Sequence, residues 1–588
     1  MPNGAESELS GPSFDYFYGV LNNYKKSLTP PPISVTLQSV DALHFKVLNF
    51  KALNQNKAKI SVDPYDKHLK EDTQMIIKIL MLLLFFTVMV GIGFYCRQSA
   101  TDVNGFVLGG RSVGPWLTAF AYGTSYFSAV IFVGYAGQFG WKYGIAATWV
   151  GIGNALIGSL MAWRILGRRT RIMTQHLDTA TMPEFFGRRF GSENLKIAAS
   201  IITFIFMIPY TASLYNGLSR LFGMAFNIDY SICVVVMAVL TGIYVIVGGY
   251  MATAVNDFIQ GIIMLFGIVA VILAVLNTNG GLLAALDGLA KVTDETVSTT
   301  PGVFNSFLGP DPFNLLGVVI LTSLGTWGLP QMVQKFYAIR NEKSIETGTV
   351  ISTFFAIVVA GGCYFLGGFG RLFSDRIDIA ANGYDSVVPT MLSGLPDILI
   401  GVVVILVLSA SMSTLSSLVL TSSSTITLDL IRGHVFKKLE EKKQLLIMRW
   451  LIVLFILISV IIALIQYKSN VTFIAQLMGI SWGAMAGAFL APFLYGLYWK
   501  KTTPLACWVN FLFSVIFMLV NMLARPSLPA VLQSPINAGA FCMLIGLVIV
   551  PVVSVITPKP DQALVDDAFS SYSKKVLVQQ TEALSDEE

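Results

Sequence analysis

Thirteen apolar stretches, each long enough to cross a bilayer, follow one another from Met75 to residue 557. A hydrocarbon core of ~30 Å takes about 20 helical residues to span. By hydropathy the spans are 75–96, 116–138, 143–165, 195–218, 230–248, 257–276, 313–333, 347–370, 398–428, 445–466, 472–498, 505–524 and 537–557. A chain built this way meets lipid over much of its surface and has to close its backbone hydrogen bonds inside helices. Its charged fraction is 12%, against the ~25% carried by soluble domains. The expected class is an all-α polytopic membrane protein with about thirteen transmembrane helices.

Residues 1–73 are different: polar, with Pro30-Pro31-Pro32, and without a span or a secretory apolar core. They read as an N-terminal extension, either disordered or the product of an upstream start, ahead of a membrane domain at 74–557. A polar tail, 558–588, follows. Lys and Arg crowd the loops on one side, as in Arg164, Arg168 and Arg169, or Lys437, Lys438, Lys442 and Lys443, while the opposite loops hold few. Positive loops stay cytoplasmic. The expected topology is therefore a multi-pass plasma (inner) membrane protein, N-terminus outside and C-terminus cytoplasmic. Lys335 counts here as one of the cytoplasmic loop charges.

A net charge of +5 is too small to suggest a nucleic-acid partner. Five cysteines sit in or beside apolar spans without metal or disulfide spacing, and four histidines are scattered. No catalytic motif is present, so an enzyme is not expected.

Two spans are unusually polar. Thr118-Ala-Phe-Ala-Tyr-Gly-Thr-Ser-Tyr-Phe-Ser-Ala129 lies in the second and Ser409-Ala-Ser-Met-Ser-Thr-Leu-Ser-Ser417 in the ninth. Hydrocarbon offers hydroxyls no partner, so such stretches belong around a hydrated or ion-lined interior. Residues three and four apart share a helix face, which places the Ala410 carbonyl near the Ser413 and Thr414 hydroxyls. If the second span unwinds at its glycines, Gly123, Gly134 and Gly137, the freed carbonyls of Thr124 and Phe127 add two more neutral oxygens. Five such oxygens suit a hard monovalent cation, since divalent ions recruit carboxylates. The other reading is that these hydroxyls bond back to their own helices. The seventh span, with Gly325, Gly328 and Pro330, is interrupted like the second. The two would open five-span units at 116–276 and 313–498. Matching interruptions in two halves point to a midplane site in an inverted-repeat carrier. Gly479, Gly483 and Gly487 line one face of the eleventh span and predict close helix contact.

Several ordered motifs carry a resemblance. They are Gly109-Gly-Arg-Ser-Val-Gly-Pro-Trp116, Thr181-Met-Pro-Glu-Phe-Phe-Gly-Arg-Arg-Phe190, Gly248-Gly249 with Asn256-Asp-Phe-Ile-Gln260, Trp327-Gly-Leu-Pro-Gln331 and Met412-Ser-Thr-Leu-Ser-Ser417. Over about 75–557 the chain resembles the sodium:solute symporter family, which includes bacterial proline and pantothenate permeases and animal sodium/glucose transporters. The resemblance implies the leucine-transporter-type fold, inverted five-helix repeats with flanking helices. It also implies sodium as the coupling ion, held by Thr124, Phe127 and Ala410 through backbone carbonyls and by Ser413 and Thr414 through hydroxyls. By position, the solute pocket would be Ser125, Tyr126, Thr322, Thr326 and Trp327. Asp257 takes the place of a family acid linked to cation passage, or else is a carboxylate favoured at a helix start.

Proline permeases of the family have an acidic residue where this chain has Tyr126, and aromatic residues where it has Thr322 and Thr326. Sugar members have Gln at the position of Ile131 and an acid in the third span, which here has none. Both proline and hexose are therefore disfavoured. The implied function is sodium-coupled import of a small organic solute by alternating access. Two other readings stand beside it: a proton-coupled carrier of the same fold, and a solute-gated channel or nutrient sensor. A proton relay would want Asp, Glu or His at the site.

Overall fold

The structure, a computed structural model, describes residues 64–226, 229–436, 439–469 and 474–573. Residues 1–63 of the expected extension and 574–588 of the tail lie outside these. Contacts divide the chain between Asp72 and Thr73, and the second unit is described here.

Among the described residues every regular element is helical. By length and composition ten helices are able to cross a membrane, or eleven when the bent pair Pro312–Gly328 and Pro330–Ala338 counts as one. Two of the ten are too long for one crossing: Val130–His176, 47 residues, and Tyr230–Thr278, 49 residues. Each is broken by a glycine at positive φ, Gly144 (φ 61°) and Gly249 (φ 55°). Dividing them there and counting the bent pair as one span gives thirteen, the number expected from hydropathy. Gly249 needs its missing side chain twice over, because a Cβ would also meet Phe106 at 2.8 Å.

The helices that position the site are α1 (Met75–Ser99), α2 (Pro115–Tyr126), α3 (Glu193–Phe226), α4 (Tyr230–Thr278), α5 (Pro312–Gly328), α6 (Pro330–Ala338), α7 (Glu342–Ala356) and α8 (Asp397–Thr425). Three more flank them: α9 (Ile474–Tyr498), α10 (Pro504–Leu523) and α11 (Pro535–Ile556). The polar helix α8 is deeply enclosed over most of its length. All its residues from Val403 to Thr425 except Ile405 are buried, packed among α2, α3, α4 and α6. Outward faces carry apolar side chains instead, such as Leu84 and Leu273, as lipid requires.

Both interrupted spans break, but not at their glycines. α2 ends at Tyr126, Phe127 is extended (φ −82°, ψ 121°), and helix resumes as a π-turn at Val130. Gly123 serves packing: a Cβ there would lie 2.5 Å from Phe355. Gly134 and Gly137 likewise admit Ile474 and the Tyr384 carbonyl. In the seventh span Leu329 is extended (φ −86°, ψ 121°) and the helix turns by 46° into α6. Here the cause is Pro330, which disfavours helical backbone in the residue before it. The Gly479, Gly483 and Gly487 face closes against α11, with Cβ positions 3.4 Å from Pro535, 2.8 Å from Gly539 and 2.7 Å from Cys542. That stripe joins two flanking helices. The five cysteines are all buried and free.

Candidate functional site

The break in α2 puts two carbonyls beside α8. The Ser413 hydroxyl lies 3.1 Å from the Thr124 carbonyl and 3.1 Å from that of Ala410. The Thr414 hydroxyl lies 3.2 Å from Thr124 O, 3.3 Å from Phe127 O and 3.1 Å from Ala410 O. All five expected oxygens are thus in one buried cluster. Two hydroxyl protons are shared among three carbonyls, so one carbonyl always lacks a donor from this pair. The cluster is rich in lone pairs and poor in protons, which is the environment a bare monovalent cation needs.

Hydroxyls elsewhere on α8 behave differently. Ser411 donates to Val407 O, Ser416 to Ser413 O and Ser423 to Leu420 O, each within its own helix. Back-bonding therefore accounts for several of the α8 hydroxyls, while Ser413 and Thr414 also reach the α2 carbonyls, Ser417 meets Ser125 and Thr421 donates to Gln334.

Beside this cluster lies a narrow cavity of about 10 Å³, lined by Tyr122, Tyr126, Phe127, Phe355, Asn154, Ser159, Thr326 and Ser352 with small residues between. No charged side chain lines it. Of the five residues expected around the solute, Tyr126 and Thr326 are in this wall. Thr326 donates to Gly158 O and Ser323 O, bridging the seventh span to the third. The other three point elsewhere. Thr322 bonds back to Val318 O, and Trp327 anchors its indole N–H on Ile157 O. Ser125 turns toward α8 and meets Ser417 Oγ at 2.7 Å.

Five of these lining residues escaped the sequence reading: Tyr122, Asn154, Ser159, Ser352 and Phe355. Asn154 is the one carboxamide in the third span, and that was the available signal. It accepts from Ser323 through one end of its amide, while the other end has no partner in the protein. The turns at Asn154–Met161 and Ile357–Gly361 are π-helical, a distortion that concentrates at binding sites.

A second polar cluster lies further along α8. Asp257 is fully buried, well inside α4, two turns past the Gly249 break. That is too deep for the helix-start explanation, whose effect fades within the first turn. It faces Lys335 Nζ at 3.7 Å, with both side chains 3% exposed or less. Lys335 belongs to α6 and is not a loop charge. Lys78 pairs with Asp397 at 2.7 Å.

Comparison with known proteins identifies the family and the fold. The family model described as "Sodium:solute symporter family" matches residues 106–507. The osmoregulated proline transporter OpuE of Bacillus subtilis (strain 168) is 28% identical over 492 residues, covering 82% of this chain and 96% of that protein. Sodium/proline symporter 2 of Staphylococcus saprophyticus is 31% identical over 456 residues, covering 75% of this chain and 86% of its own. Among solved structures, a Na⁺-coupled sialic acid symporter in a substrate-bound outward-open state superposes with a TM-score of 0.64 at 14% identity. It covers 83% of this chain and 99% of its own, and shows the shared fold. The molecule is a multi-pass membrane transporter with the leucine-transporter-type arrangement, not an enzyme, and the chain belongs to the sodium:solute symporter family.

Proposed function

We propose that this protein imports a small organic solute together with sodium by alternating access, with Thr124, Phe127, Ala410, Ser413 and Thr414 as the sodium ligands. One observation carries the reading: Phe127 belongs to both sites. Its carbonyl is in the five-oxygen cluster, and the same residue lines the adjoining cavity. An ion that fixes the extended backbone at Phe127 also fixes a cavity wall, so each ligand raises the affinity for the other. Such reciprocity is what symport requires.

The cavity favours a small solute that is neutral or zwitterionic, because no wall residue is charged and a buried net charge would go uncompensated. Four aromatic residues, Tyr122, Tyr126, Phe127 and Phe355, suit an apolar body. The free end of the Asn154 amide suits a polar head, such as the carboxylate of an amino acid. The relatives' names place proline in the screen, although Tyr126, Thr322 and Thr326 depart from what proline permeases carry. The charge bias of the loops supports an outside N-terminus and a cytoplasmic C-terminus. Inward sodium supplies about 2.3 kcal/mol at 100 mV, and about 1.4 kcal/mol per tenfold gradient. Together these support accumulation of roughly several hundredfold per coupled ion.

The test is uptake into proteoliposomes under an imposed sodium gradient, screened over amino acids, short carboxylates, vitamins and sugars. Saturable, sodium-dependent accumulation of a neutral or zwitterionic solute is expected. Accumulation driven equally by a proton gradient without sodium, or unsaturable flux, would replace this reading with the proton carrier or the channel.

A further inference from the structure

The cluster around Lys335 has the composition of a cation site with a cation already covalently attached. Lys335 Nζ sits 3.0 Å from Ser417 Oγ, which is 2.7 Å from Ser125 Oγ. The Tyr250 ring centre is 5.1 Å from the same ammonium. Asp257, 3.7 Å away, accepts no hydrogen bond at either carboxylate oxygen. The charge of the carboxylate is therefore balanced by the lysine, while the ammonium makes its close contact with serine. Ser417 is one helical turn from Ser413, a rise of about 6 Å, and Ser125 adjoins Thr124. This cluster and the five-oxygen cluster share α2 and α8.

We propose that the Lys335 ammonium occupies a second monovalent-cation site, built from Asp257, Ser417 and Ser125, and so holds the protein to one exchangeable sodium ion. Take the ammonium away and the Asp257 carboxylate and the Ser417 hydroxyl remain beside the space an ion of its charge has filled, with the Ser125 hydroxyl behind Ser417. A buried carboxylate left unpaired must recruit a cation or a proton. Hard oxygens in this number accept sodium. A lysine on α6, the half-helix after the seventh-span break, thus sets the number of ions carried and ties that half-helix to α2, α4 and α8. The inference rests on the sodium reading of the five-oxygen cluster, and the two can fail separately.

The experiment counts radiolabelled sodium bound at saturation to purified full-length protein, which needs no solute. Wild type is expected to bind one ion. Lys335→Met, whose side chain is one atom shorter and uncharged, is expected to bind two, as is Lys335→Gln. Lys335→Arg should stay at one, and Lys335→Met combined with Asp257→Asn should return to one. Two ions on the wild type would overturn the proposal whatever the variants do. So would a single ion on folded Lys335→Met and Lys335→Gln, the result expected of an ion pair that only holds helices together. No sodium on the wild type would instead remove the sodium reading of the first cluster.

Discussion

Phe127 and Leu329 break their spans with nearly the same backbone, ψ 121° in both, yet the carbonyls they release meet different fates. Leu329 O is taken up at once by the N–H groups of Met332 and Val333, the first turn of α6. Thr124 O and Phe127 O instead face two hydroxyls from α8, a helix nearly 300 residues away in sequence. The carbonyl of the break residue closes into the next helix in the seventh span, and in the second it stays open toward a partner helix. An unwound span is therefore weak evidence for an ion site until the destination of each freed carbonyl is known.

If that contrast is right, the largest effect comes from removing the partner hydroxyls. Thr414→Ala, and Ser413→Ala after it, deletes an oxygen and leaves a methyl beside the ion. A hydrogen bond to a charged group is worth roughly 1.5–3 kcal/mol, so sodium half-saturation should rise about 10- to 150-fold. Thr414 comes first because it touches all three carbonyls, whereas Ser413 touches two. Ser413→Thr keeps the hydroxyl and should be milder. Transport rates titrated with sodium measure this, and unchanged half-saturation in both alanine variants would dissolve the distinction between the two breaks.

The sequence made one of these breaks legible and hid the cause of the other. Pro330 announces the bend after Leu329. Nothing at Phe127, Ser128 or Ala129 marks a break, and the glycines that seemed to mark it, Gly123, Gly134 and Gly137, turn out to admit neighbouring side chains and backbone. The extended turn is matched by hydroxyls on α8, and a linear reading sees such tertiary contacts only through residue spacing. Spacing was enough for the five oxygens because Ala410, Ser413 and Thr414 sit on one face of an unbroken helix. It was not enough for the solute cavity. Which way Thr322, Trp327 and Ser125 point depends on the rotation of their helices against the third span and α8. Lys335 was misplaced for a related reason: α6 carries a charge inward that hydropathy assigns to a loop.

Thr326 probes the cavity side of the bent span. Thr326→Ala removes the hydroxyl joined to Gly158 and Ser323, a loss of about 0.5–1.5 kcal/mol, or roughly two- to twelvefold in solute half-saturation. Sodium binding measured without solute should not change. A shift in sodium affinity of the same size would show that the two broken spans form a single site.

A smaller effect is expected at the bend itself. Pro330 fixes φ and withholds an N–H, and proline at a compatible position is worth about 0.4–1 kcal/mol through the entropy it removes. Pro330→Ala should lower stability by about 0.4–1 kcal/mol and leave sodium half-saturation where it was, because Leu329 O keeps its partners in α6. Thermal unfolding and sodium titration on the same purified protein separate the two quantities. If sodium affinity falls instead, the second break feeds the ion site after all.

The smallest effects belong to the hydroxyls of α8 that donate within their own helix. Ser411 and Ser416 donate to Val407 O and Ser413 O, and in an unbroken helix those carbonyls already accept from the backbone four residues on. Replacing either with Ala removes a redundant donor without exposing an unpaired acceptor. Such changes cost within about 0.5 kcal/mol, little more than twofold in any constant. Ser416→Ala is the more demanding control, since it sits between Ser413 and Ser417 and its bond ends on the carbonyl of a proposed ligand residue. Sodium half-saturation within about twofold of wild type in both variants is the expected result. A large loss in Ser416→Ala matching that of Ser413→Ala would mean that α8 binds through its whole hydroxyl face, and that facing the α2 break confers nothing special on Ser413 and Thr414.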